Sequence, residues 1–291
     1  MTSNSGNRFK DWLQLSKFTI MLPVGLTGFT GYFIFKPLIS ISLVLVSLGI
    51  FLMAVSASVI NQIQEKDLDS KMNRTHDRPI PAARISLKSA IIYSIFCLLT
   101  GTFLIYSCGN ILASLIGLFT VLWYNGVYTY SKRITPFAVV PGALTGALPP
   151  LIGWVAAGGG IWDKPIIFLE FLFFIGQVPH FWLLILKYGE EYSKADIPSL
   201  TDIFKTEQIN RLTFTWVITS VMAAVFLCYL EVIRNGPVIL ILLIASAFLI
   251  WKFSALLRPG ADGRTIKRYS VLLDLYFLLV LLLLISDRII S

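Results

Sequence analysis

Long apolar runs alternate with short polar or charged gaps along the whole chain. Nine runs approach or exceed the roughly 20 residues that a helix needs to cross a bilayer. They lie near 17–35, 38–61, 86–107, 110–130, 136–157, 165–187, 211–231, 237–257 and 268–287. The gaps fall into two classes that alternate. One class is charged: 62–85, 131–135, 188–210 and 258–267. The other is short, around Lys36-Pro37, Ser107 to Gly109, Gly158 to Lys164 and Arg234 to Pro237. The pattern predicts an all-α, polytopic membrane protein of nine transmembrane helices, with residues 1–291 as a single transmembrane domain.

Composition agrees with the pattern. Of 291 residues 56% are hydrophobic and only 14% are charged, which excludes a soluble domain of this size. Twenty of the 24 Lys and Arg residues fall on the N-terminal side with the charged loops. Such a bias places that side in the cytoplasm, and it accounts for the net charge of +8 without nucleic acid. Cys97, Cys108 and Cys228 sit in or beside apolar runs, without metal-ligand spacing, and read as packing residues. The first apolar run lacks a small-residue cleavage site, so it reads as a retained helix.

The densest chemistry lies where the second run ends, from Asn61 to Pro79. Asn61, Glu65 and Asp69 recur at i, i+4 and i+8, on one face of a continuing helix, while Asp67 falls off that face. Two carboxylates and an amide in a row suit a hard cation such as Mg²⁺. Lys71, Arg74 and Arg78 follow at once and suit an anion carrying phosphates. A second acidic pair, Glu190-Glu191, ends the sixth run after Lys187. Each pair closes the second helix of a four-helix set, spans 1–4 and 5–8, so the chain reads as two parallel halves plus a ninth helix. The two acidic ends then face each other on one side of the membrane. Two such patches can hold Mg²⁺ against a diphosphate and make it a leaving group. Lys132, Arg133 and Lys187 are placed to grip the same oxygens.

Other candidates lie inside the apolar runs. Tyr124, with Trp123, Tyr128 and Tyr130, reads either as an interfacial belt or as rings that stabilise a cation. The fifth run, Pro141 to Trp154, is rich in Gly and Pro. It reads as close packing, as a kink at a cavity, or as the broken helix of a transporter. His180 lies near Gln177 in the sixth run, where a polar group is expensive unless it faces the interior. Asp274 in the ninth run has no role assignable from the sequence.

These residues also resemble a known family. Asn61-x3-Glu65-x3-Asp69 resembles the first acidic motif of UbiA-type intramembrane prenyltransferases, and Glu190-Glu191 sits where their second motif falls. The finer resemblance is to the heme o synthase branch. It rests on Asp67-Leu-Asp69-Ser-Lys71-Met-Asn-Arg74-Thr75-x-x-Arg78-Pro79, Thr135-Pro136, Gly146 to Trp154, His180-Phe181-Trp182 and Ala195-Asp196-Ile197-Pro198. The resemblance implies nine helices around a central cavity in the cell inner (cytoplasmic) membrane. It implies farnesyl diphosphate and heme b as substrates, with Mg²⁺ as cofactor and the lipid bilayer as surroundings. Terminal oxidase assembly machinery is a candidate partner. The heme vinyl group would take up the farnesyl cation, giving heme o. Asn61, Glu65, Asp69 and Glu190 would hold the metal diphosphate, joined by Glu191. Lys71, Arg74, Arg78, Lys132 and Lys187 would bind phosphate, and His180 and Tyr124 would meet the acceptor. The chain departs from the family pattern at Glu65 and Glu190 (usually Asp), at Ala83 (often Gly) and at Ser199-Leu200-Thr201. A related enzyme acting on an aromatic quinone precursor is the main alternative, and a transporter the lesser one.

Overall fold

The computed structural model describes residues 5–194, 197–258 and 263–290, with side chains at 8–189, 197–258 and 266–290. Among these residues the regular structure is helical, with no strand. The elements in order are α1 Ser5–Leu15, α2 Phe18–Phe35, α3 Ile41–Gln64, the single turn α4 Lys66–Asp69, α5 Leu87–Cys108 and α6 Ile111–Leu122. They continue with α7 Thr129–Ser131, α8 Val139–Ala156, α9 Lys164–Lys194, α10 Thr206–Tyr229, α11 Gly236–Ser254 and α12 Gly263–Ile290. Nine helices among the described residues are long and apolar enough to cross a membrane, and they match the nine apolar runs.

Span ends follow local chemistry. The first free amides of α3, α5 and α6 are capped by the side chains of Ser40, Ser86 and Asn110, which accept from Leu43, Ser89 and Ala113. The structure adds α1 ahead of the first apolar run. Its Leu15 is fully buried with Val59 and Ile85, and Gln62 donates to the Leu15 carbonyl at 2.6 Å. Arg84 pairs with Asp11 at 2.7 Å, so α1 is fastened to the first charged loop. The fourth span is not a uniform helix: Trp123–Tyr128 winds as a π-helix between α6 and α7. Such wide turns are frequent at functional sites.

The packing repeats between halves. In the first half α2 packs on α3, α3 on α5, and α5 on α6; in the second, α8 packs on α9, α9 on α10, and α10 on α11. The halves meet where α2 crosses α8. A side chain on Gly31 would overlap the Pro150 carbonyl, and one on Gly153 would overlap that of Gly28. The glycines are therefore what lets the two backbones touch, as helices in lipid require. The Gly/Pro-rich fifth run is a continuous, largely buried helix despite Pro149 and Pro150. That removes the broken helix on which a transporter reading rested.

Candidate active site

The apolar part of α3 ends at Gln64, and Glu65 leaves helical geometry at φ −102°. The helix predicted to run on through Asp69 is thus interrupted. The spacing nevertheless survives, because the amide of Glu65 donates to the Asn61 carbonyl at 2.9 Å and that of Asp69 to the Glu65 carbonyl at 2.7 Å. Asn61 and Asp69 are buried, 2% and 4% exposed, while Asp67 is exposed as its phase requires.

Each group has a defined partner. The Asn61 amide donates through Nδ2 to Thr129 Oγ1 at 3.0 Å. Thr129 donates in turn to the Tyr124 carbonyl at 2.9 Å, so its oxygen can only accept from Asn61. That fixes the amide nitrogen toward Thr129 and leaves Oδ1 directed away from it. The π-helix supplies the Tyr124 carbonyl and precedes Thr129, which ties its geometry to the site. Gln64 donates to the Asn125 carbonyl at 3.1 Å in the same segment.

Both carboxylates face cations. Glu65 Oε1 lies 2.6 Å from Lys132 Nζ, and Asp69 Oδ2 lies 2.6 Å from Arg78 Nη1. The loop that returns Arg78 to Asp69 is held by Thr75, whose hydroxyl donates to the Asp69 carbonyl at 2.9 Å. Ala83, in the same loop, takes φ 55°, the left-handed region that glycine enters freely. That explains the Gly common at this position in the family pattern. Lys17, outside the membrane-spanning part of α2, is pushed down to about 7. Burial is the largest cause, then repulsion from Arg78 and Lys132; Glu65 and Asp69 pull it back up. So three cations and two carboxylates share one small region.

Other predicted residues form a rim. Arg74 lies over the Tyr188 ring at 5.0 Å and Lys187 over the same ring at 4.5 Å. The loop after the first acidic cluster thereby meets the end of α9, two residues before Glu190. The side chains of Glu190 and Glu191 lie outside the described residues. Lys71 is exposed on its loop and forms no salt bridge to a described residue. Tyr124 and Tyr128 sit at 5.2 Å, Tyr128 and Phe181 at 5.9 Å, and Lys132 lies over Tyr128 at 4.9 Å. A cavity of about 30 Å³ beside them is lined by Tyr128, Lys132, Pro136, Phe181 and Pro198. Sequence segments far apart thus converge beside the charged cluster. His180 Nδ1 lies 2.9 Å from Asp274 Oδ1, and neither is paired with a residue of the carboxylate row.

The donors suit a hard divalent cation: a freed amide oxygen and two carboxylates, all oxygen. Among the described residues no three acidic, His or Cys groups cluster tightly enough to enclose a metal. An ion held by this set would take its remaining ligands from water and substrate oxygens. Sequence reasoning missed Lys17 as a site residue, although its position just before the first span was a signal. It also missed Thr129 and the π-helix, for which the sequence offered no sign.

The chain is similar to known proteins along nearly its whole length. The protoheme IX farnesyltransferase of Oleidesulfovibrio alaskensis is 31% identical over 277 residues, covering 95% of this chain and 96% of that protein. That of Ectopseudomonas mendocina is 34% identical over 281 residues, covering 95% and 93%. Among solved structures, a digeranylgeranylglyceryl phosphate synthase superposes with a TM-score of 0.77 at 22% identity, covering 98% of this chain and all of that one. A UbiA homolog from Archaeoglobus fulgidus bound to GPP and Mg²⁺ superposes at 0.65 with 15% identity, covering 94% and 99%. These two likenesses establish the fold alone. The model of the UbiA prenyltransferase family matches residues 24–282, and with a carboxylate row at a membrane edge and relatives matched end to end, the chain belongs to that family.

Proposed function

We propose that this protein transfers the farnesyl group of farnesyl diphosphate to a vinyl group of heme b, forming heme o. The observation that carries the reading is the row Asn61, Glu65 and Asp69 at the membrane edge, each carboxylate matched by a cation within 2.6 Å. The relatives named above, similar along their whole length, supply the acceptor and the prenyl donor.

Arg78 and Lys132 neutralise Asp69 and Glu65 before substrate arrives. A diphosphate draws the two cations onto its own oxygens, and Arg74, Lys187 and Lys71 close around it from the rim. Asn61, Glu65, Asp69, Glu190 and Glu191 would hold Mg²⁺, whose charge, when bound, makes the diphosphate a better leaving group. The allylic C–O bond then breaks toward the diphosphate. Tyr124, Tyr128 and Phe181 border the region where the allylic cation forms, and ring faces stabilise it without supplying a nucleophile. The vinyl group attacks the cation, water adds to the resulting carbocation, and a proton leaves, which gives the hydroxyethylfarnesyl side chain. The apolar helices take the farnesyl tail and the charged loops take the head. The active face is the cytoplasmic side of the inner membrane, residues 1–291 act as one domain, and the product is available there to terminal oxidase assembly machinery.

Turnover of labelled farnesyl diphosphate tests the reading. Asp69→Asn and Glu190→Gln each abolish turnover while the protein still folds. Near-normal rates in both variants would remove the two-cluster mechanism.

A further inference from the structure

Among the described residues the charged site leaves the ion pair of His180 and Asp274, within the spans, unused. His180 on α9 and Asp274 on α12 lie 2.9 Å apart, with side chains 33% and 58% exposed. His180 is seven residues from Lys187, about 10 Å into the membrane, and Asp274 is eight residues from Ile266, about 12 Å in. The two therefore sit at one depth. An ionisable pair there is costly unless it faces a cavity or a ligand. The two helices are also pinned beside it. A side chain on Gly176 would overlap the Phe277 ring, and the Phe173 ring lies tilted against Phe277 with centroids 6.2 Å apart. Gly176 and His180 share a face of α9 at i, i+4, and Asp274 and Phe277 share a face of α12 at i, i+3. The close approach at Gly176 thus presents Asp274 to His180 in a fixed geometry.

We infer that His180 Nε2 is an axial ligand to the iron of the heme acceptor, and that Asp274 is the positioning residue that makes it one. The inference rests on the heme reading above. A carboxylate on Nδ1–H fixes the tautomer in which Nε2 carries the lone pair, orients the ring and raises its basicity. Such a carboxylate–imidazole pair is the usual support of a metal-bound histidine. Ligation would hold the porphyrin about two helical turns below Lys187, where a vinyl group can reach the allylic cation formed at the rim. It also discriminates between acceptors: an aromatic quinone precursor has no metal and gains nothing from the pair.

The test uses the full-length protein in lipid nanodiscs, titrated with heme b and read by absorption and resonance Raman. Wild type shows histidine ligation with an iron–histidine stretch in the ferrous state. His180→Ala loses that band, and added imidazole restores ligation. Asp274→Asn weakens heme binding about 10–100-fold, the usual effect of removing a carboxylate behind a metal-bound histidine. It also lowers the iron–histidine frequency and leaves farnesyl diphosphate binding unchanged. Unaltered iron spectra in His180→Ala overturn the ligand assignment, and wild-type affinity and frequency in Asp274→Asn overturn the positioning role. Wild type that converts heme b without a histidine band keeps the heme reading and rejects this one. Wild type that neither binds nor converts heme rejects both.

Discussion

The pairing of Asp69 with Arg78 makes the sharpest prediction, because its two halves are unequally buried. The Asp69 side chain is 5% exposed and that of Arg78 is 16% exposed, with 2.6 Å between their closest atoms. Two unit charges about 4 Å apart attract by about 4 kcal/mol at an effective dielectric near 20. Removing one partner of a buried pair leaves the other desolvated and uncompensated, at a cost of about 3–5 kcal/mol. Arg78→Gln strands the deeper charge and should lose about 3 kcal/mol of stability. Asp69→Asn strands a longer, more accessible side chain that can turn to water, and should lose about half of that, on the same logic of exposure. The double variant should be more stable than the sum of the two losses, by at least about 1 kcal/mol. Thermal and denaturant unfolding in detergent at neutral pH measures all four corners of the cycle. Additive losses, or both single variants within about 0.5 kcal/mol of wild type, the range of ordinary surface substitutions, would refute the reasoning.

The remaining predictions address other parts of the account. Lys132→Met removes the partner of Glu65 and a charge-assisted contact to diphosphate, and should cut kcat/KM for farnesyl diphosphate roughly 10–100-fold, from about 1.5–3 kcal/mol per such bond, in steady-state assays. Gly153→Ala forces a methyl into the Gly28 carbonyl and should cost about 1–3 kcal/mol by thermal unfolding. Ala83→Gly relieves a left-handed backbone at φ 55° and should gain about 0.5 kcal/mol in the same assay, the relief being partly offset by a freer unfolded chain. Lys17 sits at about 7 when folded against 10.5 ordinarily, so the unfolded chain holds the extra proton between those values. Stability should therefore rise with pH from about 7 to 10 in wild type, and Lys17→Met should flatten that stretch of the profile.

Much of this architecture was legible in the sequence because lipid imposes simple demands. Nine apolar runs match nine spans, since nothing but a helix satisfies its backbone in a bilayer without a closed sheet. The i, i+4, i+8 spacing of Asn61, Glu65 and Asp69 survives even though the helix breaks at Glu65, because the local backbone bonds keep that rise. What stayed hidden depends on pairing between distant segments. No local pattern announces that Thr129 orients Asn61, that Lys17 joins Arg78 and Lys132, or that Asp274 meets His180 across two helices. The π-helix at Trp123–Tyr128 was equally invisible, because an added residue in one turn leaves the hydrophobic pattern of a membrane span unchanged.

The most direct test of the central claim is a competition between acceptors. Purified protein in nanodiscs receives farnesyl diphosphate and Mg²⁺ with equal amounts of heme b and 4-hydroxybenzoate, and mass spectrometry reads every prenylated product. The account predicts heme carrying a hydroxyethylfarnesyl group, lost in Asp69→Asn. Farnesyl on the benzoate with none on heme would contradict it.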